Sequence, residues 1–218
     1  MKNYFGEWKT GIIFAADLPS SEENFRILDE ICDDIDVIKL SGFLALKEGV
    51  QCIRRFKDRY NKPIFADFKV ADVPHTNNKI VQMVKDQGAA AIMVHGMTGP
   101  DSLEGCVQAA NGELGIIVQI ELTNPGGLLF TGPIALDVAK MAGMCDVYGV
   151  QAPGNRPDRI SKIREIVGPG KTIVCCGVGH QGGTYQSVLK AGGNYPIIGR
   201  AIFEAASPKD ALVRLKGC

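Results

Sequence analysis

The chain has 218 residues, 45% hydrophobic and 22% charged, enough apolar material for a sizeable core in one large domain or two small ones. Lys plus Arg and Asp plus Glu each number 24, so no net field draws the protein to nucleic acid or to an anionic membrane, although local positive sites stay possible. Seven scattered cysteines without a C-x-x-C pair, and three histidines far from any ligand-like Cys spacing, argue against a disulfide framework or a zinc site; small buried thiols in a reducing compartment fit better.

From the start, MKNYFGEWKT is polar, and the apolar run after it meets Asp17 after six residues, too short for a signal-peptide core. No stretch approaches the ~20 apolar residues of a membrane span. The sequence therefore reads as a soluble, cytoplasmic protein. Short runs rich in Ile and Val then recur: GIIFAAD (11–17), DVIKLSG (36–42), PIFADFK (63–69), AAIMVHG (90–96), GIIVQIE (115–121), DVYGVQA (146–152), TIVCCG (172–177) and YPIIGR (195–200). Such runs, bounded by Gly or Pro, are strands buried on both faces, as in parallel sheets.

Helical grammar fills the gaps. SSEENFRILDEI places Ser20 and Glu23 in capping-box relation and Phe25, Leu28 and Ile31 on one face. FLALKEGVQCIRRF and PIALDVAKMAGM are amphipathic, PHTNNKIVQMVKDQG and RPDRISKIREIVGPG open on Pro and close on Gly, and the helix after the fourth strand is interrupted by Gly105. Eight strand–helix alternations without a break in composition predict a single-domain (β/α)8 barrel over 1–218, lean at about 27 residues per unit. A doubly wound sheet would want a G-x-G-x-x-G after the first strand, where AADLPS stands instead.

Barrel chemistry sits at the C-terminal ends of strands. There the sequence places Asp17, Lys39, Asp67 with Lys69, His95, Gln119 with Glu121, and Gln151. In DFKVAD, Asp67 and Lys69 stand two apart, so on an extended chain they point the same way, and Asp72 follows in the loop. Solvated surface ion pairs are the plain alternative for such charges. Yet four charges of alternating sign on inward positions cost more than apolar replacements would, which points to function. His95, Gln119 and Glu121 carry no clear assignment. At the seventh and eighth strands, CCGVGHQGG is a Gly-rich turn and IIGRAIFEA puts Gly199 and Arg200 before a helix start, a pattern suited to phosphate. Cys175 and Cys176 pack a strand end.

These residues carry a resemblance. AADLP, DFKVADVPHTN, VGHQGG and IIGRAI resemble the motifs of the orotidine 5′-phosphate decarboxylase family in its short microbial form, over essentially the whole chain. The resemblance implies cofactor-independent loss of CO2 from orotidine 5′-monophosphate, with Lys69 as proton donor to C6, Asp67 beside the scissile carboxylate, and Lys39 and Asp72 completing the charge network. It further implies a homodimer in which Asp72 reaches the partner's site. Asp17, Lys39, Asp72 and Thr76 match ribose contacts, Gln181, Gly199 and Arg200 a phosphate clamp, and Arg156 a loop arginine near the phosphate. Pro153 to Pro157, with TNPGGLLF, is the expected lid. Two positions depart from the pattern, Thr123 where Ser contacts the pyrimidine and Cys176 where Pro is common. A Mg²⁺-dependent sister group of sugar-phosphate enzymes shares D-x-K-x-x-D but has a metal-binding Glu near the end of the second strand; Lys39 stands in that region and would repel a metal.

Overall fold

The computed structural model describes residues 2–217. Eight parallel strands close into one barrel in sequential order: β1 Ile13–Ala16, β2 Val37–Ser41, β3 Ile64–Val70, β4 Ala91–His95, β5 Gly115–Gln119, β6 Gly149–Pro153, β7 Thr172–Cys176 and β8 Tyr195–Ile198. Each predicted run overlaps one strand, β3 and β6 running one residue past theirs, and β8 pairs back onto β1 through Ile197 and Ile13. Alternation along the strands divides the apolar residues between two cores. Ile13, Val37, Phe65, Met93, Ile117 and Val174 fill the barrel, whereas Phe14, Ile38, Ile64, Ile92, Val118 and Ile173 pack outward against helices. Both faces are dry, hence the unbroken apolar runs.

The helices follow their punctuation. Ser20 caps Ser21–Ile31 by accepting from the Glu23 N–H, and Phe25, Leu28 and Ile31 are buried. The segment read as one helix after β2 is two, Gly42–Glu48 and Cys52–Tyr60, parted at Gly49, whose φ of +84° suits a residue without Cβ. Gly105 does not interrupt its helix. Pro100–Ala110 is continuous, and a Cβ at Gly105 would stand 2.8 Å from the Asn78 side chain, so the glycine lets two helices approach closely. Among the described residues no helix is long and apolar enough to cross a membrane, and none of Cys32, Cys52, Cys106, Cys145, Cys175 and Cys176 is in a disulfide; Cys218 lies outside the described residues.

The N-terminal segment closes the barrel floor. Phe5, 2% exposed, meets Phe65, Tyr148 and Tyr195 edge-on at centroid distances of 5.8, 5.2 and 5.4 Å. The buried Asp36 carboxylate anchors the chain entering β1 by accepting from the N–H groups of Lys9, Thr10 and Gly11. With the floor plugged, the open mouth lies at the C-terminal ends of the strands.

Candidate active site

β1, β2 and β3 carry a file of alternating charge across that mouth. Lys39 Nζ donates to both Asp17 carboxylate oxygens at 2.8 and 2.9 Å and lies 3.5 Å from Asp67 Oδ2. Asp67 Oδ1 in turn accepts from Lys69 Nζ at 2.5 Å. The inner pair is almost fully buried, with side chains 6% exposed for Lys39 and 4% for Asp67; Asp17 and Lys69 are at the rim, 38% and 36% exposed. Burial pushes the Asp67 carboxyl up, but attraction to Lys39 and Lys69 outweighs it and holds the group below the usual carboxylate range. Burial likewise works against the Lys39 ammonium, and attraction to Asp67 and Asp17 wins, raising its pKa.

Lys69 reaches Asp67 through a backbone that is not extended. Its φ is +48°, the left-handed region. Ala66 pairs with Ile92 and Val70 with Val94, so Asp67, Phe68 and Lys69 together oppose Met93 alone. The plain two-residue alternation expected for DFK is thus replaced by a bulge. A left-handed non-glycine residue costs on the order of 1–3 kcal/mol and persists where surrounding structure imposes it, commonly at functional sites.

A cavity of about 450 Å³ adjoins this file, and Asp17, Lys39 and Asp67 share its lining with Thr123, Gln181, Gly199 and Arg200. Gly177, Gly179 and Gly182 have φ of +85°, +80° and +90°, so the turn after β7 is built on a backbone that side chains rarely adopt. A Cβ at Gly177 would come 3.1 Å from Thr123 Cγ2, which fixes how near that turn lies to the β5 loop. Arg200 is exposed; its guanidinium stands 3.4 Å from His180 Nε2, and the helix it opens is only Arg200–Phe203. Cys176 also lines the cavity, where burial and the Asp67 carboxylate push its thiol up to about 11.

Lys69 is not in this lining but in that of an adjoining groove beside β3, and three further expected site residues stand elsewhere. Asp72 is exposed and accepts from the Val73 N–H at 2.7 Å, joining no lysine of its own chain. Thr76 lies in the first turn of the helix Pro74–Asp86 and is not in the cavity lining. Arg156 pairs at 2.5 Å with Glu121, a carboxylate of 0% exposure. The expected lid also divides. Pro153 and Gly154 are buried, the Gly154 N–H donating to Cys176 O at 2.6 Å, whereas Leu128, Leu129 and Phe130 are 52%, 71% and 79% exposed.

Below the mouth, His95, Gln119 and Gln151 are adjacent in register on β4, β5 and β6 and buried. Gln119 Nε2 donates to Gln151 Oε1 at 2.7 Å, leaving Gln119 Oε1 without a partner. Burial, and then the Lys69 charge, hold the His95 pKa below its ordinary value. The inward phase of these residues is visible in the sequence; their mutual contact is not.

The whole arrangement has relatives. Residues 10–215 match the model of the orotidine 5′-phosphate decarboxylase / HUMPS family. The orotidine 5′-phosphate decarboxylase of Methanococcoides burtonii is 41% identical over 96% of this chain and 97% of its own, and that of Methanosarcina barkeri 40% identical over 94% and 92%. Among solved structures, orotidine 5′-monophosphate decarboxylase from Methanocaldococcus jannaschii, complexed with inhibitor BMP, superposes with a TM-score of 0.88 at 34% identity, covering 94% of this chain and 96% of that one. The Pyrococcus horikoshii orotidine 5′-phosphate decarboxylase gives 0.85 at 37% identity, covering 94% and 97%. With a family match over nearly its full length, and a closed barrel bearing these motifs at its mouth, the chain belongs to the orotidine 5′-phosphate decarboxylase / HUMPS family.

Proposed function

We propose that this chain decarboxylates orotidine 5′-monophosphate to UMP and CO2 in pyrimidine biosynthesis, in the cytoplasm and without a cofactor. The observation that carries the reading is the Asp17–Lys39–Asp67–Lys69 file beside a cavity that ends at Arg200 and a Gly-rich turn. Phosphate binds between that turn and Arg200, with Gln181 and Gly199 alongside, so the ring lies toward β3. Asp17 and Lys39 take ribose hydroxyls, and Thr123 takes the pyrimidine through its hydroxyl.

The C6–carboxylate bond then breaks heterolytically. CO2 leaves, the electron pair stays on C6, and no adjacent π-system absorbs it. A fixed ammonium at Lys69 stabilises that charge without reorganising and then transfers a proton from Nζ, forming the C6–H bond. Asp67 orients Lys69 and sets like charge against the substrate carboxylate, a repulsion that disappears with CO2. Enzymes reach accelerations of roughly 10⁶- to 10¹⁷-fold, and this reaction demands the upper part of that range. Binding energy from the phosphate, which touches no reacting atom, contributes by drawing the β5 loop and the turn after β7 over the site.

Asp72 and Thr76 enter through a second copy. An apolar groove beside β3 is lined by Leu46, Phe68, Lys69, Asp72 and Met83, and Phe43, Leu46, Val73 and Met83 are 55%, 91%, 62% and 51% exposed around it. Contiguous exposed apolar surface of this kind suits an isologous interface, which would carry each Asp72 toward the partner's Lys39 and Lys69.

The direct test follows the absorbance of orotidine 5′-monophosphate with purified protein, with and without EDTA. Turnover indifferent to EDTA is expected. No turnover refutes the reading, and turnover abolished by EDTA and restored by Mg²⁺ moves the chain toward the metal-dependent branch.

A further inference from the structure

Among the described residues, Glu121 is the one fully buried carboxylate at the barrel mouth outside the lysine file. Two arginines of the segment after β6 face it: Oε1 accepts from Arg156 Nη1 at 2.5 Å, and Oε2 lies 2.7 Å from Arg159 Nε as an ion pair without hydrogen-bond geometry. The arginine side chains are 21% and 25% exposed, so the cluster is sealed on the barrel side and open only at its rim. An apolar cluster of the same volume would cost less to bury, so stability alone does not explain it.

The backbone around it does. β5 ends at Gln119, and after the Ile120 N–H donates to Gln151 O at 3.3 Å the chain leaves the sheet. From there its polar groups are satisfied by side chains. The Leu122 N–H donates to Thr131 Oγ1 at 3.1 Å, Arg156 Nη1 donates to Leu122 O at 3.2 Å, and Arg156 Nη2 donates to Thr123 O at 3.1 Å. Asn155 Nδ2 adds a second donor to Thr123 O at 3.3 Å. Thr123 is therefore aimed into the cavity by a guanidinium, and that guanidinium is aimed by Glu121. The planar guanidinium of Arg156 suits such a task, because its fixed fork meets the Glu121 carboxylate and the Leu122 and Thr123 carbonyls at once and so defines direction as well as distance.

We propose that Glu121, Arg156 and Arg159 form a positioning clamp for Thr123, governing recognition of the pyrimidine ring and not of the phosphate. The inference rests on the nucleotide reading above and changes the role of Arg156, which the family resemblance puts near the phosphate. Glu121 and Arg159 touch no substrate in this scheme; they act through Arg156. The clamp also explains how one loop can serve the ring while the turn after β7 serves the phosphate. The two come together where Thr123 Cγ2 faces Gly177.

The test compares two ligands on Glu121→Gln and Arg156→Gln, by calorimetry on the full-length protein: UMP, which carries the ring, and ribose 5-phosphate, which lacks it. Losing a charge-assisted bond of this class predicts about tenfold or more weaker UMP binding. Ribose 5-phosphate should change less than about twofold, and kcat with orotidine 5′-monophosphate should fall along with the rise in KM. Arg156→Lys, which keeps the charge but not the fork, should fail to rescue. Should Glu121→Gln not fold, Arg159→Gln at the open rim carries the comparison with the same pattern. Equal weakening of both ligands, or a loss confined to ribose 5-phosphate, overturns the clamp, as does unchanged UMP affinity. Absence of turnover in the unmodified protein would instead refute the decarboxylase reading, so the two failures are distinct.

Discussion

The left-handed backbone at Lys69 makes a prediction that separates the ammonium from the strain beneath it. Lys69→Ala and Lys69→Gly both remove the charge, the 2.5 Å bond to Asp67 and any proton transfer, so each should lose turnover while still binding a UMP analogue. They differ in backbone alone. At φ +48° an alanine Cβ carries the left-handed penalty of about 1–2 kcal/mol, which glycine escapes. Glycine's looser unfolded chain returns about 0.4–1 kcal/mol of that. The remainder, about 1 kcal/mol in favour of Lys69→Gly, corresponds to roughly 2–4 °C in Tm for a chain of this size. Both variants keep Lys39 3.5 Å from Asp67, so the electrostatic loss is shared and cancels in the comparison. Thermal and urea unfolding of the two variants measure the difference. If Lys69→Gly is no more stable than Lys69→Ala, the reasoning from the bulge fails; if either variant keeps most of the activity, Lys69 is not the proton donor.

Arg200→Ala should chiefly raise KM, and phosphite dianion, which should activate a phosphate-truncated nucleoside on the unmodified protein, should activate it much less on the variant; equal activation would refute a clamp at Arg200. Mixing inactive Lys69→Ala with inactive Asp72→Asn subunits should return activity, up to about a quarter of the sites for random isologous dimers, and no recovery on mixing would argue against shared sites. Because burial and Lys69 hold the His95 pKa down in the folded protein, the unfolded chain takes up more protons as pH falls from about 6.5, and stability should decline there. His95→Gln should flatten that slope in urea titrations between pH 7 and 5. The contribution of Asp67, with its depressed pKa, should persist to lower pH and disappear only below the usual carboxylate range of about 4.

How much of this was legible beforehand differs from residue to residue. Eight Ile- and Val-rich runs between amphipathic segments allow little but a parallel barrel, because only burial on both faces makes such runs profitable. Asp17, Lys39 and Asp67 were readable for a related reason: inward phase at a strand end is a matter of counting, and the barrel brings neighbouring strand ends together, whereas Lys69 meets Asp67 through a bulge that counting does not foresee. Gly105 was misread because a helical glycine looks like a break until the neighbouring helix is seen against it. Phe5 gave no periodic signal, since a single aromatic in a polar segment becomes a plug only against Phe65, Tyr148 and Tyr195.

The amino-acid order alone thus determined the strand count, the closure of the sheet and the end at which chemistry collects, all consequences of local periodicity and chain connectivity. Tertiary structure decided what is set by contacts between distant segments. It placed two extra β3 residues opposite Met93, turned Lys69 into the left-handed region, and left Asp72 facing outward. It also bound Glu121 to arginines 35 and 38 residues further along, a pairing no local pattern encodes because a buried charge chooses its partner by distance in space.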